Sequence, residues 1–501
     1  MKKIITIEAL SKLREREKNK KIILAHGTYD FFHYGHYKHL LKSRDKADVL
    51  VVSLTADKFV RKGPGRPIYN EKQRSEIISA LDFVDYVVIA NSLSGIEAIK
   101  SLKPDFYSKG IEYKNKKNDF TKKILAEEKI LKKFGGEVFY TNELVLSASN
   151  LVNSINLEEN SVKNKFLKQF KKNTRFDYIY KNFNKINKKK ILIIGDSILD
   201  EYIFTKALAK SPKEEIISVK EEKKKLYLGG ILATAKHISN FVNKPTLLTI
   251  LGNDLKEKDF IQKNFKNKCK IIFFKNKYAK SVVKTRYLDS SNKKLFQSNQ
   301  ISFDCIDKIL EKKIFTYLNK HLSKFDLVVV NDFGHGLLTK KLRRLIEKKS
   351  KKLSVNVQSN SANLGYNFFY KYKKCDYLTM DEPEARMAVN ERFGTTKKLF
   401  EKILKKIKAK TVAITYGANG TKLFTNKKFV EVPALTSKAI DTLGAGDAFF
   451  AISSIYFLAD KNTKNIAFVG NVSGALKIQY IGHEKYLEPD SFFPYVKSLL
   501  S

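Results

Sequence analysis

Cysteines are few, acidic groups are outnumbered and long apolar runs are missing. The three cysteines, Cys269, Cys305 and Cys375, are odd in number and far apart. They form no CxxC pair and suggest no disulfide framework, so a reducing, cytoplasmic compartment is expected. No segment reaches the roughly 20 apolar residues that span a bilayer. The opening MKKIITIEALSKLREREKNKK has too short an apolar stretch for a signal peptide. Membrane insertion is therefore not expected. Only 52 Asp+Glu stand against 96 Lys+Arg, a formal net charge of +44. Such a charge first suggests a polyanion partner. The lysines are scattered along the whole chain among Asn and Ile, however, and no segment interleaves aromatic and basic residues at a defined spacing. That pattern reads as solvated faces from an A+T-rich genome, with steering of small anions into a cleft as a further role. No specific nucleic-acid partner is expected. A polyanion-binding protein stays open as an alternative and would show steep salt dependence.

What is present is enough for two sizeable cores: 501 residues, 43% hydrophobic and 12% aromatic. Branched-aliphatic runs flowing into glycine, KIILAHG and KKILIIGDS, open two regions as buried parallel strands do. Further runs, ADVLVVSL and VDYVVIA in the first region and LLTILG, FDLVVVND, CDYLTMDE and TVAITYG in the second, alternate with helical patterns. The expected class is α/β in both. Residues 1–156 form the first domain, 157–188 a charged helical connector without glycine or proline, and 189–501 the second domain. AFFAISSIYFLA at Ala448–Ala459 reads as a buried helix.

In the first region His33, Gly35 and His36 sit between a strand ending at Gly27 and a helical pattern, YKHLLKS. Two imidazoles and free backbone N–H groups at a helix start favour an anion. Gly35 lets a phosphate approach the backbone closely. A metal site would recruit His26 or His39, but no Cys or acidic cluster completes a zinc set. Structural histidines are the third reading. The stretch Gly27-Thr28-Tyr29-Asp30-Phe31-Phe32-His33-Tyr34-Gly35-His36 closely resembles the HxGH nucleotidyltransferases. The likeness is to the glycerol-3-phosphate cytidylyltransferase type and to the transferase half of the bifunctional heptose enzyme. It continues through KGPGRPIYNEKQRSEIISALDFVDYVV with Arg66 and Arg74, through PDFYSKG with Lys109, and through LSASNLV with Ser147 and Ser149. The resemblance implies a Rossmann-like fold in which a phosphate oxygen attacks the α-phosphorus of ATP or CTP. It implies that His33 and His36 donate to the triphosphate and that Lys109 contacts its phosphates. Gly27, Thr28, Gly35, Arg66, Arg74, Ser147 and Ser149 would surround the nucleotide. ELVLSAS lacks the family's Arg, and Lys109-Gly110-Ile111 lacks a second glycine. Base and acceptor stay open.

Near the other end, Gly444, Ala445 and Gly446 lead into the apolar helix as a nest of converging N–H groups, an anion hole for a phosphoryl group. Asp447 follows in the first turn as a candidate general base for a hydroxyl. A plain glycine-rich cap is the bland alternative. Asp441-Thr442-Leu443-Gly444-Ala445-Gly446-Asp447 resembles the D-T-x-G-A-G-D signature of ribokinase-like (PfkB) carbohydrate kinases. By that resemblance Asp441, Asp196, Asp200, Gly229, Gly230, Lys284, Arg286, Asn331 and Asp332 bind the sugar substrate. Thr415, Gly417, Gly420, Thr442 and Asn471 serve the nucleotide. Asp381 and Glu384 hold Mg2+ indirectly, through water or phosphate. The segment expected to read D-P-K is NVQSN, and Ala233 stands where Asn follows the glycine pair.

Together the resemblances imply a bifunctional enzyme with the heptose enzyme's domain order reversed. One half phosphorylates a sugar or sugar phosphate with ATP. The other joins a nucleotide to a sugar or polyol phosphate, giving a nucleotide-activated sugar. A transferase fused to a non-catalytic, sugar-sensing kinase-like domain is the alternative. Residues around Glu214–Leu228 and Ile271–Ser298 are expected to build a small β lid, through which a homodimer would form.

Overall fold

The computed structural model describes residues 3–114, 123–142, 162–210, 213–253, 257–302, 304–425, 428–436 and 438–501. They divide into two units, Met1–Leu167 with Pro489–Ser501, and Lys168–Glu488.

The first unit is a parallel sheet of β1 (Ile4–Ile5), β2 (Ile22–Gly27), β3 (Val49–Thr55), β4 (Tyr86–Ala90), β5 (Phe106–Gly110) and β6 (Glu137–Thr141). Their order is β1-β4-β3-β2-β5-β6. Strand β3, VLVVSLT, is buried at every position because helices cover both faces. Ile22 and Leu24 join the core on one face, and Ile23 and Ala25 the core on the other. The chain moves outward from β2 in one direction and from β5 in the other, so the order reverses between them. Such a switch point opens a crevice at the carboxyl ends of the strands. The helix Glu71–Ser79 starts on a capping box of Asn70 and Gln73. The last helix, Pro489–Leu500, groups with this unit, where its Tyr495 ring covers Gly63 so closely that a Cβ there would collide. No change of composition marks that return, so the sequence division at 189–501 carries these residues with the second domain.

The second unit is built on a nine-stranded sheet. Its strands are β7 (Ile191–Gly195), β10 (Thr246–Leu251), β11 (Lys270–Lys275), β14 (Leu327–Asp332), β15 (Leu353–Val357), β16 (Lys374–Asp381), β17 (Lys408–Thr415), β18 (Thr421–Thr425) and β19 (Lys428–Val432). The order is β11-β10-β7-β14-β15-β16-β17-β18-β19. It is parallel as far as β17 and antiparallel in the last two pairs. A second sheet contains β8 (Ser197–Lys210), β9 (Ile217–Gly229), β12 (Val282–Leu288) and β13 (Lys294–Gln300), in the order β13-β12-β8-β9. The lid expected from the sequence differs in two strands. Ile271 lies in β11, which pairs residue for residue with the buried β10 of the main sheet. The lid strand Ser197–Lys210 carries on from β7 through Asp196 and runs out to exposed residues.

The connector segment carries two helices, Val162–Asn173 and Phe176–Asn187. Ile179, Phe183 and Ile186 face inward at helical spacing. Phe183 lies 5.2 Å from the Tyr456 ring, and Asn182 donates to the Tyr456 hydroxyl at 3.3 Å. These side chains dock on the helix Ala445–Ala459, which is itself buried from Asp447 through Tyr456. No helix among the described residues is long and apolar enough to cross a membrane.

Candidate active sites

The first site stands at the end of β2. Two residues of the turn after Gly27 are left-handed without being glycine, Tyr29 (φ 48) and Phe31 (φ 51). Each costs ~1–3 kcal/mol, a strain that persists only where the surroundings over-determine the backbone. Those surroundings are Asp30, which is fully buried, forms an ion pair with Arg66 and accepts from the Ile68 N–H at 2.7 Å. The turn ends at His33, the cap of the helix Tyr34–Asp45. Its Nδ1 accepts from the Gly35 N–H at 3.1 Å, so its Nε2 carries the hydrogen. His33 and His36 stack with centroids 3.8 Å apart and planes at 22°. Nε2 of His33 and Nδ1 of His36 are buried with no hydrogen-bond partner among the described residues. Burial lowers both pKa values, with help from Lys62 and, at His36, from His33; His36 falls to about 2. Both rings are neutral, and the Nε2–H of His33 is a donor left unpaired among the described residues. Lys62 lies close enough to lower both, and its own ammonium is pushed down to about 8 by burial, then by Arg66. It stays charged at neutral pH.

Lys109 reaches the same strand ends, because the register Ala25↔Ser108 sets β5 beside β2. Its ammonium pairs with Glu127 at 3.2 Å and lies 4.7 Å from the centroid of the Tyr107 ring. Gly27 is tight against its neighbour: a Cβ would sit 2.9 Å from Tyr29 Cε2. Ser147 and Ser149 lie outside the described residues.

Arg74 is not a phosphate ligand here. Its side chain is buried and donates to the carbonyls of Tyr69 (3.0 Å), Thr28 (2.6 Å) and Thr55 (2.9 Å) and to Asp57 (2.6 Å). It clamps the Thr28 end of the turn to β3. Arg74→Ala would leave these carbonyls unpaired, and we expect a loss of about 3 kcal/mol. Denaturant unfolding followed on the first unit's transition checks this; a loss below about 1 kcal/mol would contradict the clamp.

The second site lies at the start of the helix Ala445–Ala459. Gly444 caps it in the left-handed region (φ 77), where a Cβ would meet His483 Cε1 at 2.6 Å. A Cβ on Gly446 would meet nothing within 4 Å, so that side of the turn is open. The Thr442 carbonyl accepts from the Ala445 N–H at 3.2 Å and closes the turn. Asp447 is buried, and its Oδ1 accepts from Asn331 (2.9 Å) and Gln358 (2.8 Å). Burial outweighs those two donors and raises its pKa to about 6. Lys284 lies nearby, and burial lowers its pKa, with Asp200, Asp447 and Asp196 opposing. The register Lys284↔Asp200 puts it on the lid beside Asp200, which forms a buried ion pair with Arg286. Gly229 and Gly230 turn the chain from β9 into the helix Gly230–Ser239, and a Cβ on Gly229 would collide with the Asp200 carboxylate. Asp441 binds Lys294 of β13 at 2.8 Å and accepts from the N–H groups of Leu443 and Gly482, tying lid to glycine turn.

Other predicted residues have their polar atoms used by the fold. Asp196 accepts from the N–H groups of His335 and Leu337, both at 3.1 Å. Asp332 is held by Lys371 (2.7 Å), the Tyr372 hydroxyl (2.7 Å) and the Gly334 N–H (3.0 Å). Asn471 bonds Thr421 and the carbonyls of Val432 and Pro433. Each is buried and already bonded within the fold, Asp196 to backbone N–H groups, Asn471 to Thr421 and backbone carbonyls, and Asp332 chiefly to the Lys371 and Tyr372 side chains. Thr415 ends β17, and Gly417 (φ 56) and Gly420 (φ 85) make the turn to β18. At the adjacent strand end, Asp381 and Glu384 form a capping box, and Glu384 also accepts from the Ser359 N–H at 2.7 Å. Burial, then Asp381, raises Glu384 to about 8. Sequence reasoning missed Gln358, Lys62, Asp30, His483 and Lys477. The altered NVQSN segment was the signal for the first.

A parallel α/β sheet with a β lid, and a glycine-nested helix start backed by a buried carboxylate, give the second unit the architecture of an α/β phosphate-binding domain. The chain belongs to the pfkB family of carbohydrate kinases, whose sequence model matches residues 188–488. A cytidylyltransferase-like model matches residues 24–135. The bifunctional protein HldE of Campylobacter curvus is 40% identical over 116 residues, 23% of this chain and 25% of that protein. That of Nitratiruptor sp. is 23% identical over 298 residues, 59% of this chain and 62% of that protein. These matches thus span from a quarter to about three-fifths of the relatives' own length. Among solved structures, phosphofructokinase-2 from Escherichia coli is 14% identical with a TM-score of 0.49, over 62% of this chain and 99% of that one. Ribokinase from Thermotoga maritima is 18% identical with a TM-score of 0.48, over 62% and 99%.

Proposed function

We propose that the chain is a two-site enzyme. The second unit phosphorylates a hydroxyl of a sugar or sugar phosphate with ATP. The first transfers a nucleotidyl group from ATP or CTP to a sugar or polyol phosphate and releases pyrophosphate, giving a nucleotide-activated sugar. The observation that carries the reading is the buried Asp447 carboxylate, one oxygen fixed by Asn331 and Gln358, at the mouth of the Gly444–Gly446 nest.

In the kinase, Oδ2 of Asp447 takes the acceptor's proton as the hydroxyl oxygen bonds to the γ-phosphorus and the bond to the ADP oxygen breaks. The N–H groups of the nest meet the charge on the phosphoryl group in flight. Lys284 and Arg286 lie on the lid side, suited to an anionic acceptor. Asp381 and Glu384 fit a hydrated Mg2+ rather than a bare one. Their oxygens suit a hard cation, and a bound cation would favour the ionised form of Glu384 against the burial that now raises it, yet no group of three or more His, Cys, Asp or Glu forms a cage among the described residues. The ion would neutralise phosphate charge when bound.

In the transferase the attacking phosphate is already ionised, so alignment and charge neutralisation suffice. His33 and His36 would donate to the triphosphate, with Lys62 and Arg66 at the same turn. The two reactions suit consecutive steps towards a nucleotide-sugar if the kinase works on the anomeric or terminal oxygen. A homodimer through the lid belongs to the same proposal, supported by Leu208, Ile217 and Phe296 exposed on its strands. The test is a panel of heptose, hexose and polyol phosphates with ATP and with CTP, read by phosphorus NMR. A phosphorylated sugar and a nucleotide-sugar are the expected products. Ligand-dependent nucleotidyl transfer without ATP turnover on any acceptor would favour the sugar-sensing alternative.

A further inference from the structure

The kinase site holds a buried charge that the chemistry above does not use. Lys477 ends the helix Thr463–Lys477 and is 1% exposed. Its ammonium donates to the Gly482 carbonyl and, among the described residues, makes no ion pair. Its stem runs beneath the glycine turn, since a Cβ on Gly444 would lie 3.2 Å from Lys477 Cε. Burial lowers its pKa to about 8, so it is a cation at neutral pH.

An unpaired buried ammonium is costly, and an apolar side chain would fill the space at lower cost. Three carboxylates, Asp441, Asp447 and Asp200, attract it from a distance, and Lys294 opposes them. Two of the three are already engaged, Asp200 with Arg286 and Asp441 with Lys294. His483, also beside Gly444, has its pKa lowered to about 4 by burial and is neutral. Lys477 is therefore, among the described residues, a positive charge beneath the nest without an ion-pair partner. Asp447, ionised at neutral pH, is the third carboxylate that attracts it, and a phosphoryl group in flight at Gly444–Asp447 adds further negative charge there.

We propose that Lys477 is a built-in cation of the phosphoryl-transfer site. Held by Gly482 under the Gly444 turn, its ammonium supplies fixed positive charge from behind the nest. It touches no substrate and acts through the turn, as a positioning residue. The inference rests on the kinase reading.

The test measures ATP-dependent phosphorylation of the best acceptor from the panel, first in buffer free of potassium and ammonium, then with either ion or with tetramethylammonium added. Wild type is expected to be indifferent to all three. Lys477→Met should lose about 10²-fold in kcat, with KM for the sugar nearly unchanged. Lys477→Ala, which leaves room for an ion, should regain about tenfold with potassium or ammonium and nothing with tetramethylammonium, a recovery that lost packing alone would not give. Melting of each variant with ADP reports folding of the unit. Stimulation of wild type by potassium, an unchanged kcat in Lys477→Met, or a loss that no small cation restores would each overturn the inference alone. Absence of phosphoryl transfer by wild type would instead overturn the kinase reading, and this inference with it.

Discussion

Asp447→Asn should abolish sugar phosphorylation, by about 10³-fold or more, while nucleotidyl transfer by the same protein stays at the wild-type rate. The substitution keeps the shape. An amide oxygen still accepts from Asn331 and Gln358, so the helix start and the glycine nest are left in place. What is lost is an oxygen able to take a proton. The pH profile of the wild type carries the same signature. Asp447 is raised to about 6 by burial, and a general base works only when ionised. The phosphorylation rate should therefore be flat above about 6 and fall tenfold per unit below it. A carboxylate at the ordinary value of about 3.9 would hold its rate well into the acid range. A profile flat down to pH 4.5, or an active Asp447→Asn, would remove Asp447 from the chemistry.

His36→Ala should do the converse. Removing one preorganised donor from developing negative charge costs about 10²–10³-fold in kcat, and phosphorylation by the second unit should be untouched. Because burial keeps His36 neutral, with a pKa pushed down to about 2, its contribution should not titrate between pH 5.5 and 8. A histidine that worked as a cation would lose its effect across that range. Steady-state rates of pyrophosphate release across pH distinguish the two. An unaltered rate in His36→Ala would return these rings to the structural reading.

Much of this was legible because parallel strands announce themselves. Runs such as VLVVSLT and ILIIG are buried on both faces, and the glycines after them mark where a ligand approaches. The two signature turns were legible for the same reason: glycine and a reactive side chain must sit at fixed offsets from a helix start. Side-chain direction was not legible. Arg74, Asp196, Asp332 and Asn471 are polar residues beside a site, and nothing in their spacing tells whether they face a ligand or the backbone. That is decided by distant partners: Asp196 meets N–H groups 139 and 141 residues away. Gln358 looked like a missing motif, yet its amide reaches Asp447 across 89 residues. Lys477 resembled any surface lysine in a chain that has dozens. Only the packing of Gly444 and Gly482 around it marks it as different.

The account stands on two separate phosphate cradles, one transferring a terminal phosphoryl group and one a nucleotidyl group. Tracing isotope from ATP labelled at the γ-phosphate, and from ATP and CTP labelled at the α-phosphate, into sugar products tests this most directly. The prediction is γ-label in a phosphorylated sugar, made by wild type and His36→Ala but not by Asp447→Asn, and α-label in a nucleotide-sugar, made by wild type and Asp447→Asn but not by His36→Ala. Loss of both labels together in either variant, or label that never leaves the nucleotides, would contradict it.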